Sequence, residues 1–119
     1  MHELSITQDI VETVCARAAG ARVLRVVVVI GKLSAVLPDA VRFCFDICCE
    51  DTPLAGAELS IIEPPGVARC RGCGLEFEIE RAFARCACGA TDLDWISGEQ
   101  LSIREIELCE STHQEGTAS

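Results

Sequence analysis

Apolar residues recur at helical spacing from the start of the chain: Ile6, Ile10, Val11, Val14, Cys15 and Ala18 share one face before Gly20. The spacing predicts an amphipathic helix with Ser5 or Thr7 as its N-cap and Gly20 as its stop. At Val23 the pattern changes. Val23 to Ile30 is a β-branched run, expected to form a strand buried on both faces or nearly so. Gly31 ends it, and Lys32-Leu33-Ser34 continues it weakly. Pro38-Asp39 opens a second helix, since proline suits the first turn and an acidic residue suits the helix dipole. Its apolar stripe is Val41, Cys44, Phe45 and Cys48, and it finishes near Glu50-Asp51-Thr52-Pro53. Ala57 to Glu63 reads as a second strand, broken by Pro64-Pro65-Gly66, which is expected to act as a linker. Leu93, Trp95 and Ile96 resume a strand pattern, Ser97-Gly98 turns, and Leu101, Ile103, Ile106 and Leu108 mark a final strand that returns to the first sheet. The expected fold class is α+β: a small mixed sheet with two helices, and a module inserted between sheet strands.

That module carries the densest chemistry. Cys70-Arg71-Gly72-Cys73 and Cys86-Ala87-Cys88 bring four thiols as two close pairs. Tetrahedral Zn²⁺ suits such an arrangement, because two short loops can each offer two sulfurs at about 2.3 Å from the metal. Glycines follow Cys73 and Cys88, where a positive φ lets backbone N–H groups turn toward sulfur. Structural zinc is the favoured reading, against disulfides, a thioredoxin-like pair and an iron–sulfur site. A four-sulfur site is closed, so it cannot activate water. Leu75, Phe77, Ile79 and Phe83 are too few large apolar residues to hold a core, so the metal must supply much of the module's stability.

Composition narrows the rest. The 119 residues carry a net charge of −9, with 5 Lys/Arg and 9 Asp/Glu in residues 1 to 65, 4 and 3 in residues 66 to 90, and 1 and 7 in residues 91 to 119. A nucleic-acid protein that reads phosphates would invert that balance. No apolar run reaches the ~18 residues of a membrane span. Nine cysteines, an odd number, without an export signal point to a reducing cytoplasm. Cys15, Cys44, Cys48 and Cys109 read as small core residues, with one of the adjacent Cys48 and Cys49 partly exposed, and Trp95 reads as a cover for the cysteine module. The tail from Ser111 to Ser119 reads as disordered. With no nucleophile and base set and no phosphate-binding Gly-x-x-x-x-Gly-Lys loop, the chain is not expected to be an enzyme.

The N-terminus adds a second candidate site. The amine of Met1, the backbone nitrogen and imidazole of His2, and a carboxylate or further backbone nitrogen from Glu3 could chelate a cation in fused rings. Such a nitrogen-rich planar set suits Ni²⁺ or Cu²⁺ better than Zn²⁺. The plain alternative is a solvated terminus. His113 in the tail is a candidate auxiliary ligand.

Met1-His2-Glu3-Leu4-Ser5, the helix, the valine-rich strand, Gly31-Lys32-Leu33-Ser34-Ala35-Val36, Val41-Arg42-Phe43-Cys44-Phe45 and the two cysteine pairs, in that order, resemble the HypA/HybF family over roughly residues 1 to 109. The resemblance implies a nickel metallochaperone for maturation of nickel-iron hydrogenase. It implies a nickel-binding domain (1–65 plus 99–110), a zinc-binding domain (66–98) and a tail (111–119). Met1, His2 and Glu3 match the nickel-binding start, and Cys70, Cys73, Cys86 and Cys88 match the zinc cysteines. The implied partners are a HypB-type GTPase and the hydrogenase large subunit, with a homodimer left open. Two departures stand out. The second cysteine pair is one residue shorter than the usual Cys-x-x-Cys, and soon after the Gly-x-x-Ser strand end, where some members place an acidic residue close to nickel, Leu37 is apolar and the nearest candidate is Asp39. The alternative function is a zinc-ribbon adaptor or regulator binding protein or nucleic acid, for which Arg69, Arg71, Arg81 and Arg85 form the only local basic cluster.

Overall fold

The structure, a computed structural model, describes residues 3–80 and 84–109. Its elements are α1 (Glu3–Ala18), β1 (Val23–Ile30), α2 (Pro38–Cys49), β2 (Glu58–Ile62), β3 (Gly66–Cys70), β4 (Glu76–Ile79), β5 (Leu93–Ser97) and β6 (Leu101–Leu108). The fold is α+β, with two helices and two three-stranded sheets ordered β2-β1-β6 and β4-β3-β5. The final strand lies beside β1, as the pattern of Leu101 to Leu108 predicts.

Among the described residues the chain forms two compact units, one of residues 3–28, 37–61 and 103–109, the other of 29–36, 62–80 and 84–102. The first is built on apolar burial. Ile10, Val11, Val14 and Ala18 of α1, Val23, Val26, Val27 and Val28 of β1, Val41, Phe45 and Cys49 of α2, and Leu54 form its core. Helix α1 begins at Glu3, earlier than the capping signals suggest. Thr7 is no cap: it is fully buried inside the helix, and its hydroxyl donates to the Glu3 carbonyl one turn back at 2.6 Å. Threonine does this where its Oγ can reach the i−4 carbonyl. Termination follows expectation, with Ala19 (φ 51) and Gly20 (φ 93) both left-handed.

Helix α2 starts at Pro38 and buries Val41, Phe45 and Cys49. The stripe keeps Val41 and Phe45 of the expected one and takes Cys49 in place of Cys44 and Cys48. Cys44 and Cys48 are only half-buried, as are Cys15 and Cys109, and the core cysteine is Cys49. The i, i+4, i+8 row of Val41, Phe45 and Cys49 satisfies the helical period as well as the expected stripe does, so periodicity alone does not choose between the two.

The second unit departs further from expectation. Lys32–Ser34 is a turn, not a continuation of β1: Ser34 N–H closes on Gly31 O at 3.0 Å. Its amides still bond outward, Gly31 to Gln100 O at 2.8 Å, Lys32 to Pro64 O at 3.0 Å and Leu33 to Gly98 O at 2.8 Å. Gly66 is buried and begins β3, so it is a packed strand residue more than a linker. β3 pairs antiparallel with β4 (Ala68 opposite Phe77) and with β5 (Ala68 opposite Trp95, Cys70 opposite Leu93), with a bulge between Val67 and Ala68. The core is small: Leu33, Ala68 and Ile79, flanked by Phe77, Ala84 and Leu93.

Candidate metal centre

β3 ends on Cys70, and the chain turns at once. Gly74 N–H returns to Cys70 O at 2.9 Å and Cys70 N–H reaches Leu75 O at 2.9 Å, with Gly74 at φ 82. The second knuckle repeats the device: Gly89 N–H donates to Cys86 O at 2.8 Å, Cys86 N–H donates to Ala90 O at 3.0 Å, and Gly89 sits at φ 96. Each glycine supplies the left-handed step that folds the chain back on its cysteines. The amides of Gly72 and Cys73 then point at Cys70 Sγ, at 3.3 and 3.4 Å.

The two knuckles bring Cys70, Cys73, Cys86 and Cys88 together, with all four sulfurs within 4.8 Å of one another. Cys70 Sγ lies 3.7 Å from Cys88 Sγ, and Cys73 Sγ lies 3.5 Å from Cys86 Sγ. Tetrahedral bonds of about 2.3 Å place sulfurs about 3.8 Å apart, so the donor set fits a single tetrahedral ion of the zinc type. Cys86-Ala87-Cys88 therefore reaches the same cluster despite its shortened spacing. Cys70 and Cys86 are buried while Cys73 and Cys88 are exposed.

Electrostatics divide the sulfurs. The Cys73 N–H, helped by that of Gly72 and by the Cys88 and Cys73 thiols, outweighs burial and pulls the Cys70 thiol down to about 7. At Cys86 the Cys88 N–H likewise pulls down, but burial and the sulfurs of Cys73, Cys88 and Cys70 win and push it up to about 12. In the metal-free cluster Cys70 therefore ionises before Cys86, and a cation that binds both must displace the Cys86 proton.

The N-terminal candidates divide differently. Met1 and His2 lie outside the described residues, as does His113. Glu3 sits in the first turn of α1, and its Oε2 accepts the Leu37 N–H at 3.0 Å. That contact ties the start of α1 to the residue before α2. The sequence marks Leu37 only as an apolar residue where an acidic one is found in some relatives of the resembled family; that its backbone amide contributes leaves no trace in residue identity. Asp39 Oδ1 is held by Arg42 Nη1 at 2.8 Å.

Two of the four arginines of the basic cluster are paired with carboxylates. Arg69 pairs with Glu76, Arg71 lies 2.7 Å from Asp94 and 3.8 Å from Asp92, and Arg85 donates to Gly89 O at 3.0 Å, while Arg81 lies outside the described residues. Arg69 thereby ties β3 to β4, and the charges of Arg69 and Arg71 are offset by neighbouring carboxylates before any phosphate could meet them. Among the described residues no helix is long and apolar enough to cross a membrane.

A family model described as "Hydrogenase/urease nickel incorporation, metallochaperone, hypA" matches residues 1–108. The chain belongs to the HypA family. It is 56% identical to the hydrogenase maturation factor HypA of Trichormus variabilis over 108 residues, spanning 91% of this chain and 96% of the relative. It is 49% identical to HypA of Geobacter metallireducens over 109 residues, 91% of this chain and 99% of that one. In fold it resembles the solution structure of the Ni metallochaperone HypA from Helicobacter pylori, with a TM-score of 0.59 and 23% identity over 91% of this chain and 97% of that one. At that identity the likeness carries the fold alone. Membership in the HypA family places the four-cysteine cluster in a metallochaperone setting, and the cluster's geometry fits a metal independently of it.

Proposed function

We propose that this chain is a nickel carrier. It takes Ni²⁺ at Met1, His2 and Glu3 and delivers it during maturation of nickel-iron hydrogenase, while Zn²⁺ at Cys70, Cys73, Cys86 and Cys88 holds the β3–β5 ribbon. The observation that carries the reading is the match of a nickel-incorporation family over residues 1–108. Glu3 supports it, since its carboxylate is fixed beside α2 directly after the two other proposed donors. The division of labour follows from donor chemistry. Four thiolates enclose an ion and leave it no open position, whereas nitrogen donors with a carboxylate at a chain end can be exchanged one at a time. Asp39 accepts from Arg42 through Oδ1, and a carboxylate so held keeps its second oxygen, so Asp39 is a further candidate for the nickel set.

The cargo passes through the protein without a bond being made or broken in a substrate, so no catalytic role is assigned. A HypB-type GTPase and the hydrogenase large subunit are the proposed partners, in the cytoplasm. The family description names urease beside hydrogenase, which makes urease a second candidate destination. The test is metal content and Ni²⁺ titration of untagged protein with His2→Ala alongside. One zinc per chain and nickel binding that depends on His2 support the carrier. Nickel binding indifferent to His2 overturns the N-terminal site.

A further inference from the structure

We propose that the main-chain amide of Leu37 is a positioning group for nickel capture, holding the Glu3 carboxylate in place before the metal arrives. The inference rests on the N-terminal nickel reading and adds to it a part that lies 34 residues away in sequence and contributes no side chain.

Glu3 is fixed at two points. Its carbonyl accepts the hydroxyl of Thr7 at 2.6 Å, and Thr7 is fully buried, so the main chain at Glu3 is anchored to the core of the helical unit. Its Oε2 accepts the Leu37 N–H at 3.0 Å. A chain end ordinarily loses much freedom when its donors close on a cation. Here the carboxylate is already ordered from both sides. A carboxylate has about four lone-pair positions, of which the Leu37 N–H takes one.

The donor is rigid as well. Leu37 is the N-cap of α2 at φ −89 and ψ 113, and no side chain caps that helix end. The following Pro38 restricts Leu37 to this extended region, which fixes the direction of its N–H. The Leu37 side chain is 64% exposed, so the core has no need of it. Groups that orient a metal ligand by hydrogen bonding typically change affinity about 10- to 100-fold when removed.

The geometry offers a clean test. Proline has no N–H and holds φ near about −65°, close to the φ of −89 already present at Leu37. Leu37→Pro therefore removes one donor with little change of path, whereas Leu37→Ala keeps the donor and loses the side chain. Ni²⁺ titration is run on the full chain, wild type, Leu37→Pro, Leu37→Ala, His2→Ala, Glu3→Ala and the Glu3→Ala/Leu37→Pro double variant, each with a thermal melt. The expected result is about 10- to 100-fold weaker nickel binding in Leu37→Pro, wild-type binding in Leu37→Ala, and no added loss from Leu37→Pro once Glu3 is alanine. Wild-type binding in Leu37→Pro, with binding lost in His2→Ala, overturns the role of Leu37 and leaves the nickel site standing. Unchanged binding in His2→Ala removes the site itself and the inference with it. Should Leu37→Pro fail to fold, hydrogen exchange of the Leu37 amide decides. Faster exchange in Glu3→Ala than in wild type, with protection kept on nickel loading, supports the contact, and equal rates overturn it.

Discussion

A Cβ placed on Gly98 would stand 2.4 Å from the Cα of Gly66, so these two backbones meet with no room for a side chain between them. Gly98 also sits at φ 114, a region that L-residues rarely enter. Gly98→Ala thus meets a main-chain obstacle and backbone strain together, and is expected to destabilise the β3–β5 unit by on the order of 3 kcal/mol. Gly66→Ala meets the movable Leu33 Cδ1 at 2.4 Å and Ile79 O at 3.0 Å, so part of its cost can be relieved. Amide exchange of β3 in the zinc-loaded protein reads both. Protection in Gly98→Ala equal to wild type would contradict the account.

α2 supplies a contrast between neighbours. Phe45 is 2% exposed and Phe43 is 71% exposed, two residues apart on opposite faces. Phe45→Ala should cost about 3–5 kcal/mol through lost burial and a cavity, while Phe43→Ala should stay within about 0.5 kcal/mol. Denaturant unfolding followed by far-UV circular dichroism measures both. Similar costs at the two positions would mean that the face assignment is wrong.

The two phenylalanines also show what the sequence can and cannot reveal. Both helices, β1 and β6 are legible because long runs of one period leave few alternatives, and β2 and β5 because apolar residues stand between clear turn residues. The facing of α2 is not, since Val41, Phe45 and Cys49 fit a helical stripe as well as Val41, Cys44, Phe45 and Cys48 do, and only packing decides. β3 and β4 escape notice for a different reason. They are short, they carry Arg69, Glu76 and Glu78, and they exist through pairing around a metal cluster. The cysteine cluster is legible from spacing and glycines alone. Leu37 is not, because a backbone amide leaves no mark on residue identity.

Metal loading of the ribbon should release protons. Cys86 is pushed up to about 12, so near neutral pH its thiol carries a proton that a cation must displace. Zinc binding is expected to release at least one proton per chain near pH 7, measured by calorimetry in buffers of different ionisation enthalpy. Binding without proton release would contradict coordination by the Cys86 thiolate. The metal-free ribbon has its own pH dependence. From about 7 up to the ordinary thiol value of 9.0, the unfolded chain binds more protons at Cys70 than the folded one. Stability therefore rises with pH across that window and is lost as pH falls through about 7. Cys86 acts oppositely above 9.0, where only the unfolded chain ionises, so stability falls again toward about 12. In the zinc-free state Cys70→Ser should remove the lower limb. In the loaded protein it should release zinc and expose the amides of β3 to β5 while α1 and α2 keep theirs.

The thiols outside the ribbon should label in an order set by burial. Cys49 is buried and its thiol is pushed up to about 12 by desolvation, with the charges of Cys48, Asp46 and Cys15 adding to the effect. Cys48 is half-buried and raised by burial first and by Cys44 second. Since the thiolate is the nucleophile, a rise from 9.0 to about 12 lowers its population roughly a thousandfold at a given pH, before access is considered. Alkylation of the zinc-loaded protein, followed by peptide mass spectrometry, should modify Cys15, Cys44 and Cys109 before Cys48, and Cys49 only on unfolding. A chelator should add Cys73 and Cys88 early, because both are exposed once the metal no longer holds them. Labelling of Cys49 at the rate of Cys15 would mean that the α1–α2 interface opens readily, and the helical unit could not then serve as the fixed support on which Glu3 and Leu37 meet.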